Sequence, residues 1–115
     1  MKKKGKVLVV DDDRSVLRSL EMLLEEEFER VATLSNPNLI PKHLADFKPD
    51  VVLLDMNFSA GMHSGNEGIY WLREILNQNE DVVVVLFTAY GDIDLAVKAM
   101  KEGAMDFVVK PWNND

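Results

Sequence analysis

Four apolar runs in this chain each stop on a polar residue: Val7 to Val10 on Asp11 and Asp12, Val51 to Leu54 on Asp55, Val82 to Phe87 on Thr88, and Phe107 to Val109 on Lys110 and Pro111. The runs are short, rich in β-branched residues and lack polar alternation, as strands covered on both faces do. Helical periodicity lies between them. Val16, Leu17, Leu20, Leu23, Leu24 and Phe28 form one apolar stripe, with Glu21 and Glu25 to Glu27 opposite. Ile69, Leu72, Ile75 and Leu76, with Trp71 beside them, form a second, and Ile93, Ala96, Val97, Ala99 and Met100 a third. Such alternation predicts right-handed crossovers and a doubly wound parallel α/β sheet. Its strand carboxyl ends share one edge, where open α/β folds place their ligand sites. Three carboxylates, a hydroxyl and an ammonium then converge.

Local signals set the expected boundaries. Asp12 or Asp13 suits the N-cap of the first helix, and Asp92 that of the last, with Gly103 at its C′ position. Arg30 to Leu34 reads as a weaker strand before the turn Ser35-Asn36-Pro37. A helix over residues 38–47 requires Pro41 in its first turn. Residues 55–66 form one long loop, and Val82 to Phe87, the most apolar run, is expected at the sheet centre. A sheet of this kind needs a helix after its last strand. That terminal helix is expected to be absent from this chain, and residues 1–115 to be an N-terminal fragment of a longer protein.

The 115 residues suffice for one domain and one core. A net charge of -7 argues against direct nucleic acid binding or an acidic membrane surface. Lys2 to Lys4 is expected to be a solvated tail. Absence of cysteine excludes disulfides and thiol chemistry. No apolar stretch approaches the ~18 residues of a membrane span and no signal-peptide pattern follows Met1, so a cytoplasmic location is expected.

Taken singly, the strand-end residues are ambiguous. Asp11 to Asp13 fit a helix cap as well as a cation site, Asp55 fits a loop start, and Thr88 and Lys110 are common strand and surface residues. Together they are more specific. Crowded carboxylates repel one another without a cation, and oxygen ligands with retained waters suit Mg²⁺. A carboxylate nucleophile, a divalent ion, a hydroxyl and a lysine are what phosphoryl transfer to an acidic side chain requires. No glycine-rich phosphate loop occurs, so a nucleotide is not the expected donor.

These motifs, from Val7-Leu8-Val9-Val10-Asp11-Asp12 through Asp55 and Thr88-Ala89 to Lys110-Pro111, resemble the receiver domain of bacterial two-component response regulators over essentially the whole chain. The resemblance implies a flavodoxin-like strand order 2-1-3-4-5. It implies a phosphoacceptor signalling domain and not a turnover enzyme, in which Asp55 receives the phosphoryl group of a sensor histidine kinase. Asp12, Asp55 and the backbone carbonyl of Asn57 would hold Mg²⁺, with Asp11 acting through water. Lys110 would pair with the phosphoryl group, Thr88 would hydrogen-bond to it, and Phe107 would turn inward behind Thr88. Asn57 and Tyr90 would influence the phosphoryl lifetime. The segment from Thr88 to Ala104 is similar to receivers joined to an AAA+ ATPase and a helix-turn-helix domain in activators of sigma-54 polymerase. That likeness implies an output domain in cis, and the region around the fourth helix and fifth strand implies a homodimer surface.

One departure from the family pattern is the segment after Asp55. Phe58-Ser59 replaces a Met-Pro pair and, if Gly68 is the matching glycine, the loop is about five residues longer. It also carries His63. Two other readings remain open. A haloacid-dehalogenase-like phosphatase uses similar groups, although its nucleophile follows the first strand and its acidic pair comes late. A degenerate receiver would serve only for docking.

Overall fold

The structure, a computed structural model, describes residues 3–55, 66–88 and 93–109. Strands β1 (Lys3–Val10), β2 (Phe28–Leu34), β3 (Val51–Asp55), β4 (Val83–Thr88) and β5 (Asp106–Val109) alternate with helices α1 (Arg14–Glu25), α2 (Ile40–Asp46), α3 (Asn66–Gln78) and α4 (Ile93–Lys101). All strand pairs are parallel, in the order β2-β1-β3-β4-β5. This is the flavodoxin-like arrangement expected from the resemblance. The centre of the sheet is β3, however, and the more apolar Val82 to Phe87 run lies one strand out as β4. Apolarity reports cover on both faces; position across the sheet is set by the crossovers. These reverse direction between β1 and β3, which makes the carboxyl ends of those two strands the topological switch point.

Alternation along the strands divides the core into two layers. Leu8, Val10, Val52, Leu54, Val84 and Leu86 face α2, α3 and α4, where they meet Ile40, Leu44, Ile69, Trp71, Leu72, Ile75 and Ala99. Val7, Val9 and Phe87 point the other way, toward Leu17 and Leu20 of α1. The stripes at helical spacing thus supply both layers. Each fully buried leucine contributes on the order of 2 kcal/mol through removal from water. Among the described residues no helix follows β5. On the α1 side Val51, Leu53, Val83 and Val85 are only partly buried, and Val108 is exposed.

Three boundaries differ from expectation. Phe28 begins β2 instead of ending the α1 stripe, because α1 stops at Glu25. Glu25 to Glu27 place negative charge at the helix end whose dipole disfavours it. Lys3 and Lys4 are not a tail in their backbone: β1 starts at Lys3, opposite Phe28, with a register shift before Lys6. Gly5 accommodates that irregularity at φ +150°, a conformation that favours glycine. The helix expected over residues 38–47 is a 3₁₀ turn, Pro37–Leu39, running into α2, with Pro41 in the first turn as expected. The long loop with His63, Asp92 at the expected α4 cap, and Lys110-Pro111 lie outside the described residues.

The C-terminal end of α4 is closed by a complete glycine cap. Gly103 N–H donates to the Met100 carbonyl and Ala104 N–H to the Ala99 carbonyl, both at 3.2 Å, with Gly103 at φ +120°. A Cβ at Gly103 would lie 2.7 Å from Leu76 Cδ1 on α3. A bidentate ion pair from Arg73 on α3 to Glu102, at 2.7 and 3.0 Å, fastens the same corner.

Candidate functional site

Three consecutive aspartates leave β1, and the backbone gives them different tasks. Asp11 N–H continues the ladder by donating to the Leu34 carbonyl at 3.1 Å. The chain then turns, and Asp13 N–H donates to Asp11 Oδ1 at 2.9 Å. Asp13 caps α1: its Oδ1 accepts from Ser15 N–H at 2.9 Å, Val16 N–H at 3.4 Å and the Ser15 hydroxyl at 2.7 Å. With Asp13 engaged in the cap, Asp11 and Asp12 take up the crevice.

Strand β3 brings the third carboxylate. The Val10–Leu54 register sets Asp55 beside the turn after β1. One carboxylate oxygen from each of Asp11, Asp12 and Asp55 lies within 4.8 Å of the others. Asp11 is 0% and Asp55 2% exposed, the two buried polar residues among those described, whereas Asp12 faces solvent. At such a separation each like-charged pair repels by roughly 3–4 kcal/mol at an effective dielectric of about 20. A hard divalent cation removes that repulsion, and an all-oxygen set open on one side fits an ion that keeps several waters, the habit of Mg²⁺.

Of the remaining expected residues, Thr88 and Phe107 fall within the described part of the sheet. Thr88 is the last residue of β4, one position beyond Phe87, which pairs in register with Asp55; Thr88 itself lies opposite Val109. Phe107, opposite Leu86, is partly buried and packs against the larger core layer. Asn57, Tyr90 and Lys110 lie outside the described residues.

The fifth strand end carries polar residues that the sequence pattern did not single out. Strand β2 stops before Ser35, and Thr33 and Ser35 line a groove of about 500 Å³ with Arg14 and Arg18 of α1. The signal was present in the sequence: two arginines one helical turn apart, directly after the aspartate triplet.

Comparison with known proteins agrees with this geometry. Residues 7–115 match the family described as response regulator receiver domain. The C4-dicarboxylate transport transcriptional regulatory protein DctD of Pseudomonas aeruginosa is 35% identical over 109 residues, covering 95% of this chain and 22% of that protein. The DNA-binding transcriptional regulator NtrC of Salmonella typhimurium is 35% identical over 112 residues, covering 97% of this chain and 23% of that protein. The chain thus spans less than a quarter of the length of these two relatives. Among solved structures, the N-terminal signal receiver domain of a two-component system response regulator from Bacteroides fragilis superposes with a TM-score of 0.86 at 52% identity, covering 97% of this chain and 88% of that one.

Proposed function

The chain belongs to the response regulator receiver domain family, and from that premise we propose that Asp55 is its phosphoacceptor. The observation that carries the proposal is the cluster of Asp11, Asp12 and Asp55, two of them buried, at the switch point of the sheet. An Asp55 oxygen attacks the phosphorus of a sensor-kinase phosphohistidine. The P–N bond breaks, its electron pair returns to the imidazole, and an aspartyl phosphate remains on Asp55. Asp11, Asp12, Asp55 and the carbonyl of Asn57 are the residues that would hold Mg²⁺, which when bound offsets negative charge on the phosphoryl oxygens.

Lys110 adds a second positive charge to the phosphoryl group, and Thr88 donates a hydrogen bond to it. Asn57 and Tyr90 tune how long the phosphoryl group survives. Phe107 moves as Thr88 is drawn in, so new charge-assisted contacts at the sheet edge bias the surface around α4 and β5. This domain is a signalling switch whose only chemistry is its own phosphorylation and slow dephosphorylation. We propose that residues 1–115 form the receiver unit of a longer cytoplasmic regulator. Its output domain in cis would be an AAA+ ATPase and helix-turn-helix pair of the sigma-54 activator type, and the α4–β5 surface would serve homodimerisation. The relatives named above, transcriptional regulators several times longer than this chain, support that reading. No described helix is long and apolar enough to cross a membrane.

The phosphatase alternative is not favoured, since the receiver family match runs from residue 7 to 115. Intact-mass spectrometry after incubation with acetyl phosphate and Mg²⁺ tests the proposal. It should show one added phosphoryl group per chain, none when Mg²⁺ is chelated, and no rapid multiple turnover. An unchanged mass under all conditions would leave only a docking role.

A further inference from the structure

The acidic cluster poses a problem of access. A phosphodonor is itself anionic, and it must approach three carboxylates on a domain of net charge -7. Long-range repulsion of this kind lowers encounter rates unless local positive charge offsets it. Besides the Mg²⁺ and Lys110 of the proposed function, which act on the phosphoryl group itself, positive charge is carried by the start of α1. Arg14 and Arg18, one turn apart on α1, line the groove of about 500 Å³ together with Ser15, Thr33 and Ser35.

The groove opens at the same sheet edge as the acidic cluster. Strands β1 and β2 run in register through Val9–Thr33 and Val10–Leu34, and Asp11 N–H bonds the Leu34 carbonyl. Ser35 therefore follows β2 where Asp11 follows β1. Arg14 is the first residue of α1, two positions beyond Asp12. Both arginines are exposed, and no ion pair of either is present among the described residues. Glu21 also lines the groove, a turn further along α1, so positive charge is concentrated at the end nearer the aspartates. Two guanidiniums with neighbouring hydroxyls form a donor set suited to the oxygens of a phosphate group.

We propose that Arg14, Arg18, Thr33 and Ser35 form an oxyanion subsite that draws small dianionic phosphodonors to the acidic cluster. Arg14 and Arg18 act as positioning residues. They make no bond to the transferred phosphorus and bias the approach of the donor. The role in transfer rests on the reading of Asp55 as phosphoacceptor; anion binding in the groove does not.

Two measurements on the 115-residue chain separate these. In the first, inorganic phosphate is titrated at low ionic strength while backbone amide NMR shifts are followed. The subsite predicts saturable shifts at Arg18, Thr33 and Ser35 that the double variant R14Q/R18Q loses and R14K/R18K largely keeps. Absence of saturable shifts at these residues overturns the proposal, whatever happens at Asp55. In the second, the rate of labelling by acetyl phosphate with saturating Mg²⁺ is compared between wild type and R14Q/R18Q. A loss of about threefold to tenfold is expected at low salt, shrinking toward equality at about 0.5 M salt as screening removes the steering. A merely structural role for the arginines would not produce that salt dependence. Equal rates at low salt, or a salt-independent loss, overturn the role in transfer, and phosphate binding with unchanged labelling does the same. Failure of wild type to label in any condition counts against Asp55 and leaves the groove to be judged by its phosphate shifts.

Discussion

The two ends of β3 each carry an aspartate, and they illustrate different uses of the same side chain. At the amino end Asp50 is exposed, and its Oδ2 accepts the Lys6 N–H at 2.9 Å. Nearby, the Lys6 ammonium donates to the Phe47 carbonyl at 3.1 Å, and Lys6 and Arg30 lie 5.8 and 5.6 Å from the Phe47 ring centre. Hydrogen bonds and cation–ring contacts there tie β1, β2 and the end of α2 together. At the carboxyl end Asp55 is buried within 4.8 Å of two further carboxylates. Carboxylates that close repel one another, and a cation or a positively charged partner offsets that repulsion. The contacts at the amino end join elements of the fold, whereas the carboxyl end gathers carboxylates in an arrangement that suits a cation.

The largest contrast between the two ends is expected in metal binding. Asp12→Ala should weaken Mg²⁺ binding by at least about tenfold in a calorimetric titration, equivalent to about 1.4 kcal/mol. Asp50→Ala should leave it unchanged. Equal effects of the two variants would remove the distinction.

Stability should then respond differently to metal at the two ends. Saturating Mg²⁺ should stabilise the wild type in urea unfolding, and Asp12→Asn, which removes one carboxylate from the set, should lose much of that increment. Asp50→Ala loses its bond to the Lys6 amide and should lower stability by about 0.5–1.5 kcal/mol. That loss should be the same with and without Mg²⁺, and Asp50→Ala should keep the full metal increment; an equal Mg²⁺ increment in Asp12→Asn and the wild type would count against the cluster as the metal site.

The smallest effect belongs to the α3–α4 corner, remote from both ends. The Arg73 hydrogen bond, with the charges of Arg73 and Lys98, holds the Glu102 carboxyl below its ordinary range. A depressed carboxyl pKa contributes stability above the unfolded value, lost as pH falls through the folded one. Thermal melts of wild type and Glu102→Gln should therefore differ slightly at neutral pH and converge in acid. A gap that widens in acid would contradict this assignment.

Much of this was legible because strand ends follow a simple rule. Apolar runs packed between helices stop where the strand leaves the sheet, and a polar residue at that end is placed at the crevice and not in the packed layers. Asp11, Asp12 and Asp55 were readable on that basis, as were Gly103 and the first-turn position of Pro41. What was not legible depended on tertiary context. Phe28 fits the α1 stripe by spacing and joins β2 because the acidic run ends the helix. The central strand could not be ranked by apolarity, since crossover direction fixes the order. In the sequence Ser35 fits a turn, and only the register of β2 against β1 shows that it shares an edge with Asp11. The split of duties among Asp11, Asp12 and Asp13 needed the hydrogen bonds of the turn.

The central claim is that the carboxyl end of β3, and not its amino end, receives the phosphoryl group. Intact-mass spectra of wild type, Asp50→Asn and Asp55→Asn after acetyl phosphate and Mg²⁺ test it directly. One added phosphoryl group is predicted for wild type and Asp50→Asn and none for Asp55→Asn; undiminished labelling of Asp55→Asn would contradict the account.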